Sequence, residues 1–210
     1  MAAVLSPADA VDRDDASAFA GRVARWDPAG PVRLKADAGF VRMFATTPFD
    51  TLVSRTIAGH LEPRDITVHA GNLMSGLAVG RAAAVDPGPV VDASWRSQLP
   101  PKGGWVAVDE IPAELVAELA DQGVTMARDS PGPAGGASTA LLDSEVLSVS
   151  GAGMSVSVPL RMLFALSGMG FAPSTQGEKV RVSATDSWLR IDARFGAVLR
   201  RRHSLLPLLL

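Results

Sequence analysis

Two stretches near opposite ends of this 210-residue chain carry the same pattern, and the pairing constrains the fold more than any other feature. The first runs from Val32 to Arg55 and the second from Val180 to Arg201. In each stretch, apolar and polar residues alternate on both sides of a short turn, which is the period of β-strands. The pattern predicts two β-hairpins of similar design.

The apolar positions also predict how each hairpin pairs. Turns at Ala38-Gly39 and Asp186-Ser187 bring apolar residues opposite one another on a single face, as the register of a half-buried sheet requires. The predicted pairs are Ala36–Val41 and Leu34–Met43 in the first hairpin, and Ala184–Leu189 and Val182–Ile191 in the second.

Each hairpin extends into a larger unit. A third strand is expected at 51–57 and at 196–202, and helical periodicity precedes the hairpins at 10–26 and 159–170. We interpret this as a helix–three-strand unit that is used twice.

The remaining segments complete an α+β fold. Its antiparallel sheet is built from two pseudo-repeated helix–three-strand units, and a β-α-β insert is expected at 105–128. In this insert, Gly123 is expected to end a helix at 112–122, and a strand to follow at 124–128. Hairpins are expected at 65–81 and 145–161, and residues 1–9 are expected to be a loose terminus. The predicted divisions are a first α+β unit with the insert at 10–128, a flexible linker or loop at 129–140, a second α+β unit at 141–202 and an apolar tail at 203–210.

Composition excludes several classes of function. The chain has no cysteine, which removes disulfides, thiolate catalysis and Cys-ligated metals. Its net charge of −2 gives no general attraction to nucleic acid. Phosphate-loop, dinucleotide-binding and nucleophile-elbow motifs are missing, so no cofactor, metal or catalytic residue is predicted. With neither a secretory signal nor a membrane-spanning run in the sequence, we expect a cytoplasmic protein.

Two groups of residues are candidates for binding a ligand or partner. On the predicted solvent face of the hairpins, an aromatic residue lies near an arginine: Phe40 with Arg42, and Trp188 with Arg190. This combination suits phosphate contact and base stacking, but it is also ordinary for the polar face of a sheet. The second group, Trp95 and Arg96, opens a loop rich in proline and glycine that ends at Trp105 and could close over a ligand.

Three segments carry a resemblance: 95–105, 159–171 and Trp188-Leu-Arg-Ile-Asp-Ala-Arg-Phe-Gly196. They resemble uncharacterised actinobacterial proteins with no assigned activity. The resemblance implies no functional residue.

These observations favour a non-catalytic binding or protein-interaction protein that forms a homo-oligomer, because catalytic motifs are missing and the mean hydropathy is +0.20. One alternative is nucleic-acid binding through the Arg/aromatic sheet face, which the pI of 5.9 disfavours. The other is a small-molecule binder or enzyme with a pocket near Trp95–Trp105.

Overall fold

A computed structural model describes residues 2–79, 84–129, 132, 136–172, 175 and 177–202. The chain divides into two units, Met1–Gln98 and Leu99–Leu210. Each contains antiparallel strands and helices, as an α+β fold requires. This division lies in the Pro/Gly-rich loop that contains Trp95; the sequence offered 129–140 as a flexible linker or loop. Part of that linker and the whole tail at 203–210 lie outside the described residues.

The first unit is a four-stranded antiparallel sheet with an additional strand and two helices. The strand order is β5-β2-β3-β4, and β1 pairs with β4. The elements in chain order are β1 (Val4–Pro7), α1 (Ala10–Trp26), β2 (Pro31–Asp37), β3 (Phe40–Thr46), β4 (Leu52–Glu62), β5 (Asp65–His69) and α2 (Ala70–Val79).

The first predicted hairpin is confirmed in its register. Ala36 pairs with Val41 and Leu34 with Met43. Both turn residues have positive φ, 49° at Ala38 and 84° at Gly39, which is the backbone of a two-residue hairpin turn of type I′. Leu34, Val41 and Met43 are fully buried, so the alternation identified the core face correctly.

The acidic run before and within α1 holds the helix in place. Asp9 caps it, since its Oδ1 accepts the N–H of Asp12 at 2.9 Å. The Asp12 carboxylate in turn accepts the N–H of Ala58 in β4 at 2.8 Å, and Asp15 forms an ion pair with Arg55. Helix α1 has the bounds that the sequence predicted.

Two expectations for the first unit were wrong. Of the expected loose terminus at 1–9, residues 2–9 are described and are not loose, because β1 pairs with the end of β4 and buries Leu5. The described part of the segment 65–81, residues 65–79, is not a hairpin but β5 followed by α2. Gly76 lies within α2, where a Cβ would lie 2.1 Å from the carbonyl oxygen of Asp86, so the glycine permits a close helix–loop approach.

The second unit has another four-stranded antiparallel sheet, in the order β11-β10-β9-β6, and a separate two-stranded hairpin, β7-β8. The described elements in chain order are β6 (Val106–Pro112), α3 (Ala113–Asp129), α4 (Thr139–Leu142), β7 (Glu145–Gly151), β8 (Met154–Pro159), α5 (Leu160–Gly168), β9 (Lys179–Ala184), β10 (Trp188–Ala193) and β11 (Gly196–Arg201).

The second predicted hairpin also has the expected register, with Leu189 opposite Ala184 and Ile191 opposite Val182. The hairpin predicted at 145–161 is confirmed as β7-β8. Helix α5 is buried nearly all round, as its apolar sequence indicated. In both units, therefore, a helix is followed by three antiparallel strands.

The prediction for the second half of the β-α-β insert was wrong. Helix α3 continues through Gly123 to Asp129, so Gly123 is not a cap and residues 124–128 form no strand. A Cβ at Gly123 would lie 2.6 Å from Leu160 Cδ1 and 2.9 Å from Phe164 Cε1. The glycine therefore lets α3 pack closely against α5, and this tertiary contact outweighs the helix-ending preference of glycine.

Candidate binding sites

Trp95 packs against the polar face of the first sheet. The guanidinium carbon of Arg33 lies 6.0 Å from the centre of its indole ring, within the range of a cation–π contact. Asp65 binds Arg33 through two hydrogen bonds of 2.8 and 3.0 Å and also pairs with Lys35. The hydrogen bonds from Arg33 hold the pKa of the Asp65 carboxyl below its ordinary value and raise the pKa of Arg33.

Trp105 makes a similar contact within the second unit. Arg190 lies 5.7 Å from the centre of the Trp105 ring and donates to Asp192 at 2.8 Å. The indole N–H of Trp105 donates to the carbonyl oxygen of Pro101 at 3.1 Å. Trp95 and Trp105, which the sequence offered as the two sides of a ligand pocket, each contact an arginine of their own unit.

The exposed position that the sequence assigned to Trp188 was wrong. The residue is 6% exposed, so it offers no ring face for base stacking. Alternation identifies the side of a strand to which a residue belongs, but not whether another segment covers that side. Trp105, which lies over Arg190 on the same side of β10, shows that this face is covered.

Phe40 and Arg42 are exposed, as the sequence predicted, and Arg96 is exposed as well. Phe40 opens β3 and is 54% exposed. Arg42 lies two residues further along the same strand and therefore on the same face, opposite Lys35 of β2. This exposed pair, Phe40 and Arg42, is called the hairpin patch below.

The free edge of β5 is closed by the loop that leads to Trp95. One side of β5 pairs with β2, and the N–H and C=O of Thr67 are directed to the other side. Thr67 itself is buried, with 1% of the residue exposed. The N–H donates to Asp92 Oδ1 at 2.6 Å, and the C=O accepts the N–H of Val91 at 2.7 Å. These bonds occupy the groups that would otherwise be available to pair with another strand.

The edge of β6 is protected differently. Its pairing with β9 is interrupted by a bulge between Ala107 and Asp109. The N–H of Glu110 donates to the Asp109 carboxylate at 2.8 Å, and Pro112, which has no N–H, ends the strand. Bulges, inserted charges and proline all discourage pairing between sheet edges.

A pocket of about 400 Å³ lies between the β7-β8 hairpin and the end of β11 in the second unit. Its polar lining comes from one strand end, the hairpin and the segment before β7: Arg200, Arg201, Arg202, Ser155, Ser157, Asp143 and Glu145. Behind Asp143 lies Arg161 of α5, whose side chain is only 5% exposed. This region is called the arginine pocket below.

Sequence reasoning missed this pocket. The available signal was Arg161, a charged residue within the otherwise apolar helix α5, because a buried charge needs a partner. The partner, Asp143, is far from it in sequence and follows the short helix α4, so its position depends on the tertiary fold.

Two properties of the described residues bear on the class of site. No group of three or more His, Asp or Glu side chains among them is placed to hold a metal ion. No helix among them is long and apolar enough to cross a bilayer.

The fold is similar to that of DNA polymerase sliding clamps. The sliding clamp from Bacillus subtilis has a TM-score of 0.60 at 13% identity, over 98% of this chain and 66% of that one. The DNA polymerase III beta subunit from Pseudomonas aeruginosa gives 0.58 at 12% identity, over 99% and 66%. The beta subunit from Thermotoga maritima gives 0.55 at 11% identity, over 94% and 64%. The chain thus spans about two thirds of their length, and at these identities the likeness concerns the fold alone.

By sequence, the chain belongs to the family described as Domain of unknown function (DUF8185), whose model matches residues 100–205. Residues 1–97 match a second model, Domain of unknown function (DUF8010). The junction between the two matches coincides with the division of the structure after Gln98. No curated protein matches the sequence.

Proposed function

We propose that this chain is a non-catalytic, cytoplasmic binding protein that uses a sliding-clamp fold to associate with copies of itself. The single observation that carries the proposal is the fold, which matches DNA polymerase sliding clamps over nearly the whole chain. The repeated helix–three-strand unit within it supports an origin by internal duplication.

The hairpin patch is the surface that we propose for self-association. Aromatic and arginine side chains contribute a large share of the binding energy of protein interfaces, and Phe40 is exposed beside Arg42. The closed edge of β5 and the interrupted edge of β6 favour association through side chains over pairing of these strands. The mean hydropathy of +0.20 is consistent with some apolar surface being covered by a partner.

Light scattering after size exclusion tests this proposal. We expect a mass above the 21.8 kDa of one chain, increasing with protein concentration. Phe40→Ala should shift the protein toward the monomer. Phe195→Ala is the matched control, because this aromatic residue lies at the β10-β11 turn and is 37% exposed. A mass of one chain at every concentration would eliminate the self-association proposal.

Association with DNA is the second candidate function, and the similarity of the fold to DNA polymerase sliding clamps favours it. The buried Trp188 cannot contribute the stacking that the sequence suggested. An electrostatic contact would show as binding of a fluorescein-labelled DNA duplex that weakens steeply as salt increases. No change in anisotropy at about 50 mM salt, where such contacts are strong, would eliminate this candidate.

A further inference from the structure

We propose that the arginine pocket of the second unit binds a phosphate group. The argument rests on the geometry of this pocket and does not depend on self-association. It concerns residues on β8, β11 and the segment before β7.

One carboxylate organises the arginines around the pocket. Asp143 Oδ1 accepts Nη2 of Arg161 at 2.8 Å and Nη2 of Arg200 at 2.9 Å. Arg161 is buried and the Arg200 side chain is 14% exposed, so both guanidinium groups are held beside a single oxygen with little solvent around them. A carboxylate shared in this way leaves the group of three with a net positive charge.

Further positive charge lies at the end of β11. The Arg202 guanidinium donates to the carbonyl oxygen of Thr185 at 3.1 Å, and its main-chain N–H donates to the carbonyl oxygen of Ser187 at 2.8 Å. These bonds fix the strand end where it meets the pocket. Arg201 is exposed and also lines the pocket.

The charges do not cancel. With Arg161 included, the described residues at the pocket contribute four guanidinium groups and two carboxylates, those of Asp143 and Glu145. The site therefore has an excess of two positive charges in a chain whose total charge is −2. Such a local excess, confined to a concave site, attracts anions.

Hydroxyl donors complete the lining. Ser155 and Ser157 face the pocket from β8. Because Ser150 Oγ donates to Ser155 Oγ at 2.9 Å, the hydrogen of the Ser155 hydroxyl is available to another acceptor. Several donors converging from different directions suit the tetrahedral oxygens of phosphate better than the planar pair of a carboxylate.

Calorimetric titration with sodium phosphate, at ionic strength held constant with chloride, tests the site directly. We expect saturable binding to the wild-type chain and a loss of about tenfold in affinity for Arg201→Ala, the usual effect of losing one charge-assisted hydrogen bond. Ser155→Ala should lose about threefold, as for a neutral hydrogen bond. Arg181→Ala is the charge-matched control, because Arg181 is exposed on β9, pairs with Glu110 and does not line the pocket.

A second arm identifies the source of the phosphate. A fluorescein-labelled single strand and a duplex of the same sequence are titrated with the same variants. DNA binding that Arg201→Ala weakens and Arg181→Ala does not would assign the phosphate to a nucleic-acid backbone. Binding of inorganic phosphate without DNA binding would assign it to a free phosphate or a phosphorylated small molecule.

Two results would overturn the proposal. One is the absence of saturable binding in both arms. The other is an equal loss of affinity in Arg201→Ala and Arg181→Ala, which would show a general effect of charge. Neither result bears on self-association, which light scattering measures separately.

Discussion

Asp92 closes the edge of the first sheet, and its removal should have a measurable cost. In Asp92→Ala, the N–H of Thr67 loses the acceptor that lies 2.6 Å away, in a residue that is 1% exposed. The N–H of Val91 still donates to the Thr67 carbonyl oxygen, so the substitution removes one of the two bonds at this edge.

The magnitude follows from the kind of bond that is lost. A hydrogen bond to a charged group contributes about 1.5–3 kcal/mol, and leaving a buried N–H unpaired costs a similar amount. We therefore expect Asp92→Ala to lower the free energy of unfolding by about 2 kcal/mol. For a chain of this length, about 2 kcal/mol corresponds to a decrease of roughly 4–8 °C in Tm.

Asp92→Asn provides the matched control. The amide retains an oxygen that can accept the Thr67 N–H, but without the charge, so its decrease in Tm should be about half that of Asp92→Ala. Thermal unfolding followed by circular dichroism measures both decreases. Hydrogen exchange of the peptide that contains Thr67 shows whether the loss of stability arises at this sheet edge. Exchange should accelerate more in Asp92→Ala than in Asp92→Asn.

The reasoning would be refuted if Asp92→Ala were as stable as the wild type and the Thr67 amide exchanged at the same rate. Equal effects of alanine and asparagine would also contradict it, because they would show that the acceptor oxygen is not what matters.

Two further predictions concern acid stability and packing. Because hydrogen bonds from Arg33 depress the pKa of Asp65 in the folded chain, this group contributes stability above its unfolded pKa of about 3.9 that is lost as pH falls through the lower folded value. In Asp65→Asn, the free energy of unfolding should therefore depend less on pH below pH ~4 than it does in the wild type. Parallel curves for the wild type and Asp65→Asn in this range would contradict the prediction. Gly151→Ala should destabilise the second unit by more than about 2 kcal/mol in urea unfolding, because a Cβ would lie 2.0 Å from the carbonyl oxygen of Val108. Gly103→Ala, with nothing within 4 Å of its Cβ, is the control and should change little.

The strands were predictable because alternation reports directly which side of a strand a residue occupies. Leu34 and Met43 are fully buried partners, as their spacing required. Helix α1 could also be predicted from the sequence, because Asp9 caps it and its apolar residues recur at helical spacing.

The errors arose where tertiary contacts decide the outcome. Gly123 suggested a helix end, yet it lies within α3 and permits close packing against Leu160. Strand β1 forms because β4 is long enough to pair with it, which no local pattern in residues 1–9 shows.

The duplicated hairpins show how far equal sequence patterns can differ in function. In the pairing of the two stretches, Phe40 corresponds to Trp188 and Arg42 to Arg190. Trp188 is buried and Arg190 lies against Trp105, whereas Phe40 and Arg42 are exposed. In the second copy, packing alone therefore accounts for the aromatic residue and the arginine.

In the first copy, packing does not account for Phe40, because more than half of its surface remains in contact with solvent. The exposed area of an aromatic ring is apolar surface that burial in an interface would stabilise. Substitution in the first hairpin, whose face is uncovered, should therefore change self-association. This is why Phe40→Ala is the informative variant for self-association, and why the same change at Trp188 would report only on folding.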